Sequence, residues 1–507
     1  MAAPDDPDLD HPRLDPQDPD LLARARRTRV AVVGGGVAGL VAALEWAKIG
    51  AHVTVLESAE RFGGAVETVE LDGLPVDLVA DAFPPASPAL HALLDELRLL
   101  PEVEDAAAHP AWIAGLPGGA KAGGAKAGGA KAGGANAGGA APLPTRTVLG
   151  IPANPWADDV RRVIGWRGTW RAYLDRLRPP LTIGHERSLG RLVRTRMGDL
   201  VADRLVAPVT RGLYSTDPDN IDVEVAAPGL STALTRTGSL AGAALDLLPD
   251  DEPRRTTLRG GYGRLPDALV QRLRDLGAHL RTGVRPVTLT REDAWTIALD
   301  DGSTSDGVGV LVADVVILAS PSVAASALLA TAGIRTEPIS TTLRDVVTLV
   351  VDAPALDAAP RGRAVYPLDP GPTDAVALTL PTVDWPWLAA AAGPGRHVVR
   401  VTLPADPTRD ADNAATDAAR AAGGLLGVAM GTPRASALRR VDAAPPASAL
   451  GHAERVAAVR AAVNEHPGLA VVGASLAGSG VAQVVADTVA EVDRLRTSVL
   501  WGADRSA

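Results

Sequence analysis

Three glycines near the start of the chain have the spacing of a dinucleotide-binding turn. Gly34, Gly36 and Gly39 follow the apolar run RVAVV, and the helical pattern that continues from them includes Val37 and Ala38. The first glycine allows a tight turn, the second lets the backbone approach a pyrophosphate, and the third lets helix and strand pack closely. Amides at the start of the helix favour phosphate charge. The pattern therefore predicts a nucleotide cofactor.

An acidic residue ends the next predicted strand. Glu57 follows the run AHVTVL about 20 residues after the glycines, where its carboxylate can accept a hydrogen bond from a ribose hydroxyl. Ser58 comes next, and Arg61 stands beside the pair Gly63 and Gly64. A simple NAD site needs nothing special here, so the second glycine pair beside an arginine indicates FAD. The alternative for Arg61 is a solvated surface arginine.

Regular elements must hold these residues in place. Strand, glycine turn, helix and second strand make a βαβ unit, and the helix ends at Gly50. Two amphipathic helices are predicted over 185–213. Alternating apolar and polar residues over 343–442 predict sheet strands.

Composition excludes several classes of function. The 507 residues carry a net charge of −10, which argues against a nucleic-acid partner. There is no cysteine, so disulfides, thiolate metal sites and thiol catalysis are excluded, and no metal site is predicted. The acidic, Pro-rich start differs from a signal peptide, and no long apolar run predicts a transmembrane helix. We expect a cytoplasmic protein, with peripheral membrane contact left open.

A second glycine-rich stretch, LAVVGASLAGSGV, lies near the end of the chain. Its glycines, Gly473, Gly478 and Gly480, do not have the spacing of the first motif, and no acid-ended strand follows them. A separate second nucleotide site is therefore not expected. The stretch is interpreted as the far side of the first site.

Longer stretches of the chain resemble the bacterial porphyrinogen oxidases, which are the flavin-dependent protoporphyrinogen and coproporphyrinogen III oxidases of the wider amine-oxidase-like FAD group. The resemblance runs from about residue 29 to 496. The stretches that carry it are ERFGGAVETVELDGLPVDLVADAF, SLGRLVRTRMGDLVADRLVAPVTRGLYSTDPDNID, GGYGRLPDAL, ADVVILASP and LGHAERVAAVRAAVNEHPGLAVVG.

The resemblance implies an α/β fold in which a Rossmann-like FAD-binding domain is built from discontinuous segments. A helical region and a mixed-sheet substrate domain are inserted between those segments. The expected divisions are a disordered acidic tail over 1–28, the FAD-binding domain over 29–85, 255–335 and 450–496, a mainly helical region over 86–254 with a flexible Ala/Gly/Lys repeat at 118–140, and the substrate-binding sheet over 336–449.

The resemblance also implies the chemistry and more of the cofactor site. Gly473, Ala474, Gly480 and Val481 would approach the flavin, and Val287 would contact the cofactor. The implied reaction is the oxidation of coproporphyrinogen III to coproporphyrin III by molecular oxygen in haem biosynthesis. Protoporphyrinogen IX oxidation, an amine or carotenoid-precursor oxidase, and a non-catalytic flavin- or porphyrin-binding relative stay open. Contact with other haem-pathway enzymes is also left open, and no catalytic acid or base is assigned.

Candidates for substrate binding are arginines, because carboxylates favour bidentate arginine. Arg167, Arg171 and Arg211 could bind the propionates of a porphyrinogen, although a surface or salt-bridged role is the alternative for each. Tryptophans 156, 166 and 170 could stack on a porphyrin, lie at a membrane surface or anchor the core.

The chain departs from the family pattern at several positions on the flavin side. These departures are Ala65, Val79, the stretch AFPPASP after Asp81, Leu476, Ala477 and the pair Asp487 and Thr488. They leave the dinucleotide motif intact and raise the alternative of a divergent or weakened enzyme.

Overall fold

The computed structural model describes residues 19–85, 87–117, 139–178, 186–249, 254–300, 309–368 and 375–501. The strands of these residues are β1 (Arg29–Val33), β2 (His52–Leu56), β3 (Thr68–Leu71), β4 (Leu74–Asp77), β5 (Val103–Asp105), β6 (Ala111–Leu116), β7 (Gly139–Pro142), β8 (Thr147–Val148), β9 (Ile151–Pro152), β10 (Thr256–Leu258), β11 (His279–Arg281), β12 (Arg285–Arg291), β13 (Trp295–Asp300), β14 (Gly309–Ala313), β15 (Val315–Leu318), β16 (Thr342–Asp352), β17 (Ala364–Pro367), β18 (Ala377–Thr379), β19 (Arg396–Pro404), β20 (Ala435–Ala443) and β21 (Leu469–Val471).

The helices of the same residues are α1 (Pro19–Ala25), α2 (Val37–Ala47), α3 (Pro88–Glu96), α4 (Asp158–Tyr173), α5 (Leu189–Met197), α6 (Asp199–Val201), α7 (Ala207–Tyr214), α8 (Val223–Ala226), α9 (Leu230–Thr237), α10 (Leu240–Leu247), α11 (Arg264–Asp275), α12 (Ser322–Thr331), α13 (Pro381–Asp384), α14 (Pro386–Ala392), α15 (Ala411–Leu426), α16 (His452–Asn464), α17 (Ala474–Ala477) and α18 (Val481–Trp501). Across the described ranges, none of these helices is both long and apolar enough to cross a membrane.

A five-stranded parallel sheet holds the glycine motifs, in the order β11-β2-β1-β15-β21. Val30 of β1 pairs with Val53 of β2 on one side and with Val315 of β15 on the other. Every residue of β15 is buried, as expected for a parallel strand covered on both faces. Helix α2 is buried along its whole length and packs against α11 and α18. This is the predicted Rossmann-like α/β arrangement, with strands drawn from three distant stretches of the chain.

A seven-stranded sheet forms the second layer, in the order β20-β16-β19-β18-β17-β6-β7. Strands β17 and β6 run parallel and the other neighbours run antiparallel, so the sheet is mixed, as predicted. Helix α15 covers one face, where its alanines pack against Val347, Leu349 and Val401. Small alanines on that helix let it approach the branched aliphatic side chains of the sheet closely.

The inserted region 86–254 is mainly helical between α4 and α10, but it also contains strands. The β6–β7 hairpin joins the seven-stranded sheet, where β6 pairs with β17, and the buried Ile113 side chain packs into the apolar cluster of the helical region. The two strands flank the Ala/Gly/Lys repeat, of which residues 118–138 lie outside the described residues.

The prediction of a disordered tail over 1–28 is wrong for α1. Ala25 is buried against Leu500, and Arg24 Nη1 donates to the carbonyl of Leu500 at 2.8 Å. The helix forms because the end of α18, far along the chain, offers it an apolar surface. Residues 1–18 lie outside the described residues.

Candidate cofactor site

The first glycine turn crosses the end of β15 at very short range. Gly34 has φ +110°, and its amide donates to the carbonyl of Leu56 at 2.8 Å. A Cβ on Gly34 would lie 2.7 Å from the carbonyl carbon of Ala319, and a Cβ on Gly39 would lie 1.9 Å from the carbonyl oxygen of Gly34. Both positions therefore require glycine, as the motif predicts.

Gly36 differs from these two glycines, because a Cβ there would meet nothing within 4 Å. Its backbone is extended, with φ −72° and ψ 177°, and no side chain caps the start of α2 after it. The amide of Gly63 donates to the carbonyl of Gly35 at 2.8 Å, so the second glycine pair lies against the first turn. The result is a backbone cradle, open above Gly36 at a helix N-terminus, which suits a pyrophosphate.

Glu57 joins the acid-ended strand to this turn. Its Oε2 accepts from the Gly35 amide at 2.6 Å, and its Oε1 accepts from the Ala59 amide at 2.8 Å. The hydroxyl of Ser58 lies 3.3 Å from Oε1. A carboxylate has about four acceptor positions, so two amides leave room for a ribose hydroxyl.

Arg61 donates hydrogen bonds to the backbone around the second glycine pair. Its Nη1 donates to the carbonyl of Phe62 at 3.0 Å and its Nη2 donates to the carbonyl of Gly64 at 2.9 Å. Glu67 lies 2.5 Å from the same guanidinium and also pairs with Arg439 of β20. Arg61 is thus held by backbone and carboxylate and is not a free surface arginine.

The late glycine stretch lies at the same edge of the parallel sheet as the first. Gly473 follows β21, which pairs with β15, which in turn pairs with β1. A Cβ on Gly473 would lie 4.0 Å from the carbonyl oxygen of Ala319, the residue that Gly34 also approaches. Ala474 begins the short α17, Gly480 precedes α18, and Val481 begins α18. Carboxyl ends of adjacent parallel strands meet at one edge, so the two stretches lie at the same edge of the sheet, as a single shared site would require.

Val287 lies on β12, outside the parallel sheet, with its side chain 41% exposed. Three residues earlier, the amide of Val284 donates to the carbonyl of Glu57 at 3.0 Å, and Gly283 donates to the carbonyl of Ala59 at 3.0 Å. The turn after β11 therefore borders the acid, and sequence reasoning missed it. The Thr-Gly-Val sequence directly after the residues of β11 was the available signal.

Two departures from the family pattern have structural explanations. Leu476 packs into the apolar cluster that contains Leu328, and its carbonyl lies 2.8 Å from Nε2 of His452. Asp487 accepts from Nη2 of Arg460 at 2.7 and 2.8 Å, so its charge is neutralised by α16.

The three arginines predicted to bind substrate have different surroundings. Arg167 is exposed on α4. Arg171 donates to the carbonyls of Arg196 at 2.7 Å and Thr195 at 2.9 Å, which caps the end of α5. Arg211 lies 2.6 Å from Asp217. Arg171 and Arg211 are thus already bound by the protein.

Two other arginines, the buried Arg400 and the half-buried Arg255, pair with carboxylates beside the seven-stranded sheet. Arg400 of β19 donates to Asp81 at 2.8 Å, and Arg255 donates to Asp384 at 3.1 Å. Burial disfavours the charged form of Asp81, but Arg400 and Arg255 outweigh it and lower the pKa of Asp81. Burial dominates at Asp384 and raises its pKa. An arginine placed between apolar residues in the run VVRVTL was the signal for Arg400.

A cleft of about 800 Å³ lies elsewhere, beside α13 and α14, and contains none of the predicted site residues. Its wall includes His397, whose ring nitrogens lie 3.0 Å from Thr382 Oγ1 and 3.0 Å from Asp357 Oδ1. Both nitrogens are thus engaged by protein groups. Within the described ranges, no cluster of three histidine or acidic side chains has the arrangement of a metal site.

Comparison with known proteins identifies the cofactor that the cradle suits. The sequence model of one protein family, the flavin containing amine oxidoreductases, matches residues 37–425 of this chain. The chain belongs to this family. Its cofactor is FAD, and the protein is an FAD-dependent oxidoreductase.

Relatives in the flavin amine oxidoreductase family match nearly the whole chain. The coproporphyrinogen III oxidase of Propionibacterium freudenreichii subsp. freudenreichii is 28% identical over 94% of this chain and 92% of its own. The coproporphyrinogen III oxidase of Mycobacterium tuberculosis (strain H37Rv) is 30% identical over 93% and 97%. A crystal structure from Exiguobacterium sp. 255-15, provisionally named a protoporphyrinogen oxidase, has a TM-score of 0.77 at 22% identity and covers 93% of this chain and 99% of its own.

FAD fits the residues that the structure brings together. The open side of Gly36 and the uncapped start of α2 suit the pyrophosphate, and Glu57 suits the ribose. The late glycines and the start of α18 border the same edge of the sheet.

Proposed function

We propose that the protein oxidises coproporphyrinogen III to coproporphyrin III, with molecular oxygen as the electron acceptor, in haem biosynthesis. The observation that carries this proposal is the similarity, over more than nine-tenths of the chain, to two proteins named coproporphyrinogen III oxidase. The FAD cradle supports the redox part of the reaction independently of those names.

The reaction removes six electrons and six protons from the porphyrinogen. FAD, when bound, accepts two electrons per cycle, so three cycles are needed. Reoxidation then reduces three molecules of oxygen to hydrogen peroxide. The methylene C–H bonds of the macrocycle are activated by the flanking pyrroles. This agrees with the absence of a predicted acid–base pair from the sequence motifs.

The residues of this chain would contribute positioning. Gly34 and Gly39 permit the close crossing of strand and helix that aims the start of α2 at the pyrophosphate. Arg61 and Glu67 hold the second glycine turn against the first, and Arg439 ties both to the edge strand of the seven-stranded sheet.

The experiment is turnover by the purified, FAD-loaded protein. We expect coproporphyrinogen III to become fluorescent porphyrin with matching oxygen uptake and peroxide release, and apoprotein serves as the control. Faster oxidation of protoporphyrinogen IX would favour the second candidate, which the name of the Exiguobacterium structure suggests. Bound flavin that no porphyrinogen reduces would overturn both and favour a non-catalytic flavin- or porphyrin-binding relative.

A further inference from the structure

One face of the seven-stranded sheet carries a set of arginines turned toward the β3–β4 hairpin. Side chains alternate between the two faces of a strand, and directly opposed residues of paired strands share a face. Val350 of β16 lies in one apolar cluster with Leu74 and Val76 of β4, so its face is the one turned toward the hairpin, and we name it the inner face. By register, the arginines of the inner face in the described strands are Arg344 of β16, Arg396 and Arg400 of β19, and Arg439 of β20.

Three of these arginines are neutralised by carboxylates of the hairpin and the residues next to it. The pairs are Arg396 with Asp72 at 3.2 Å, Arg400 with Asp81 at 2.8 Å, and Arg439 with Glu67. Residues 67–81 therefore supply one carboxylate for each of the three guanidinium groups.

Arg344 is the exception on the inner face. Within the described ranges no carboxylate pairs with it, and its Nη1 makes only a long contact of 3.4 Å with the carbonyl oxygen of Leu343. Its Nε is buried and has no hydrogen-bond partner there. Burial lowers the pKa of Arg344, and no negative charge opposes that effect. A half-buried guanidinium without a counter-charge is costly, so an anion from outside the chain would stabilise it.

The position of Arg344 along β16 is on the side of the second glycine pair. Asp72, at the tip of the hairpin, meets one end of β16, and Glu67, at the base of the hairpin, meets the inner face level with Val346. Arg344 follows in the same direction, two residues or about 7 Å farther along the strand. Gly64 of the second glycine pair comes three residues before Glu67, in the same direction. The guanidinium is therefore expected on the cofactor side of the inner face.

Other polar atoms of the inner face also lack partners. Thr348 is fully buried, and its hydroxyl has no hydrogen-bond partner among the described residues. Arg400 lies directly opposite Thr348, and its Nε has none either. Because buried polar atoms are nearly always paired, unpaired ones gathered on one face indicate a surface built to meet a polar ligand.

We propose that Arg344 binds a carboxylate of the substrate, a propionate side chain of the porphyrinogen. This inference rests on the proposed function, because the carboxylate belongs to the proposed substrate. The planar guanidinium fits a carboxylate with two parallel hydrogen bonds. A phosphate of FAD is a poorer occupant, because the start of α2 and the open cradle above Gly36 already offer donors to the pyrophosphate. Two arginines predicted to bind substrate, Arg171 and Arg211, are already bound by protein groups.

The test is fluorescence titration of the FAD-loaded protein with coproporphyrin III and with its methyl ester, both in the same detergent. Coproporphyrin III keeps the propionates of the proposed substrate, its ester lacks their charge, and neither needs turnover to be measured. We expect Arg344→Gln to weaken binding of the acid about tenfold or more and to leave binding of the ester unchanged. Arg344→Lys keeps the charge without the planar fork and should lose less.

The matched control is Arg420→Gln. Arg420 is 65% exposed on α15, the helix that covers the opposite face of the same sheet. Its substitution removes the same charge from a position that the substrate does not reach. We expect this variant to bind the acid and the ester as the unaltered protein does.

Stability and FAD affinity separate substrate binding from a structural role. Because Arg344 has no carboxylate partner to lose, Arg344→Gln should keep the melting temperature and the Kd for FAD of the unaltered protein. The inference is overturned if the unaltered protein does not bind the acid, if Arg344→Gln binds the acid normally, or if binding of the ester falls equally. It is also overturned if FAD is lost instead, or if neither Arg344→Gln nor Arg344→Lys folds.

Turnover distinguishes this inference from the proposed function. Binding of coproporphyrin III that depends on Arg344, without oxidation of any porphyrinogen, would overturn the proposed function alone. Oxidation of coproporphyrinogen III with an unchanged KM in Arg344→Gln would overturn the role of Arg344 alone. We expect a raised KM for that variant and a kcat close to that of the unaltered protein.

Discussion

The carboxylate of Glu57 accepts a hydrogen bond of 2.6 Å from the amide of Gly35. The acid at the end of β2 and the turn at the end of β1 are therefore joined within the protein itself. With FAD bound, Glu57 would have two functions, because it supports the glycine turn proposed for the pyrophosphate and would offer an acceptor to the ribose.

We expect Glu57→Ala to weaken FAD binding about tenfold or more, because two backbone amides lose their acceptor together with the ribose. Fluorescence titration of the apoprotein with FAD measures the Kd. Glu60→Ala, an exposed acid three residues later, is the control and should leave the Kd unchanged. An unaltered Kd for Glu57→Ala would contradict the assignment of Glu57 to the cofactor.

Two glycines of the motif should respond differently to alanine. Gly39→Ala places a methyl group 1.9 Å from the Gly34 carbonyl oxygen, so we expect a loss of stability of about 1–3 kcal/mol or more together with loss of FAD. Gly36→Ala meets no protein atom within 4 Å, so the apoprotein should keep its stability while FAD binding weakens. Urea unfolding of the apoprotein and FAD titration separate the two effects. Equal loss of stability in both variants would contradict the open cradle.

The buried pair of Arg400 and Asp81 links the seven-stranded sheet to the cofactor-binding segment. Arg400→Met leaves Asp81 with only the charge of Arg255, and Asp81→Asn leaves the buried guanidinium of Arg400 without its carboxylate partner. Each variant should therefore lose about 3 kcal/mol of stability. The double variant should lose much less than the sum of the two, because it leaves no lone charge. Urea unfolding of all four proteins completes the cycle, and additive losses would show that the pair does not interact.

Asp77 should give stability a characteristic pH dependence. Burial raises its pKa to about 6, although Thr68 and the amide of Tyr262 act in the opposite direction. The unfolded chain ionises near its ordinary value of about 3.9, so between these values the folded state binds more protons. The contribution of Asp77 to the free energy of unfolding is therefore fully present below about pH 4. It decreases by roughly 3 kcal/mol as the pH rises through about 6. Asp77→Asn should remove that slope in pH-dependent urea unfolding, and an unchanged slope would show that another group causes it.

Local sequence determined the first glycine turn, the acid-ended strand and the βαβ unit, because glycine spacing and hydrophobic period act over a few neighbouring residues. Gly34 and Gly39 have the close backbone contacts that the motif predicts. Glu57 accepts from the amide of Gly35, and its contact with a ribose stays a prediction. The spacing of Gly473, Gly478 and Gly480 was also enough to argue against a second nucleotide motif.

Tertiary structure alone decided which distant residues meet. The approach of Gly34 and Gly473 to Ala319 depends on β15 lying between β1 and β21, a strand order that no local pattern contains. Arg171 is held by the end of α5, and α1 is ordered by the end of α18, because each partner comes from elsewhere in the chain. The solvent exposure of Trp166 and Trp170 was likewise decided by the tertiary structure, because packing determines which side of a helix faces outward.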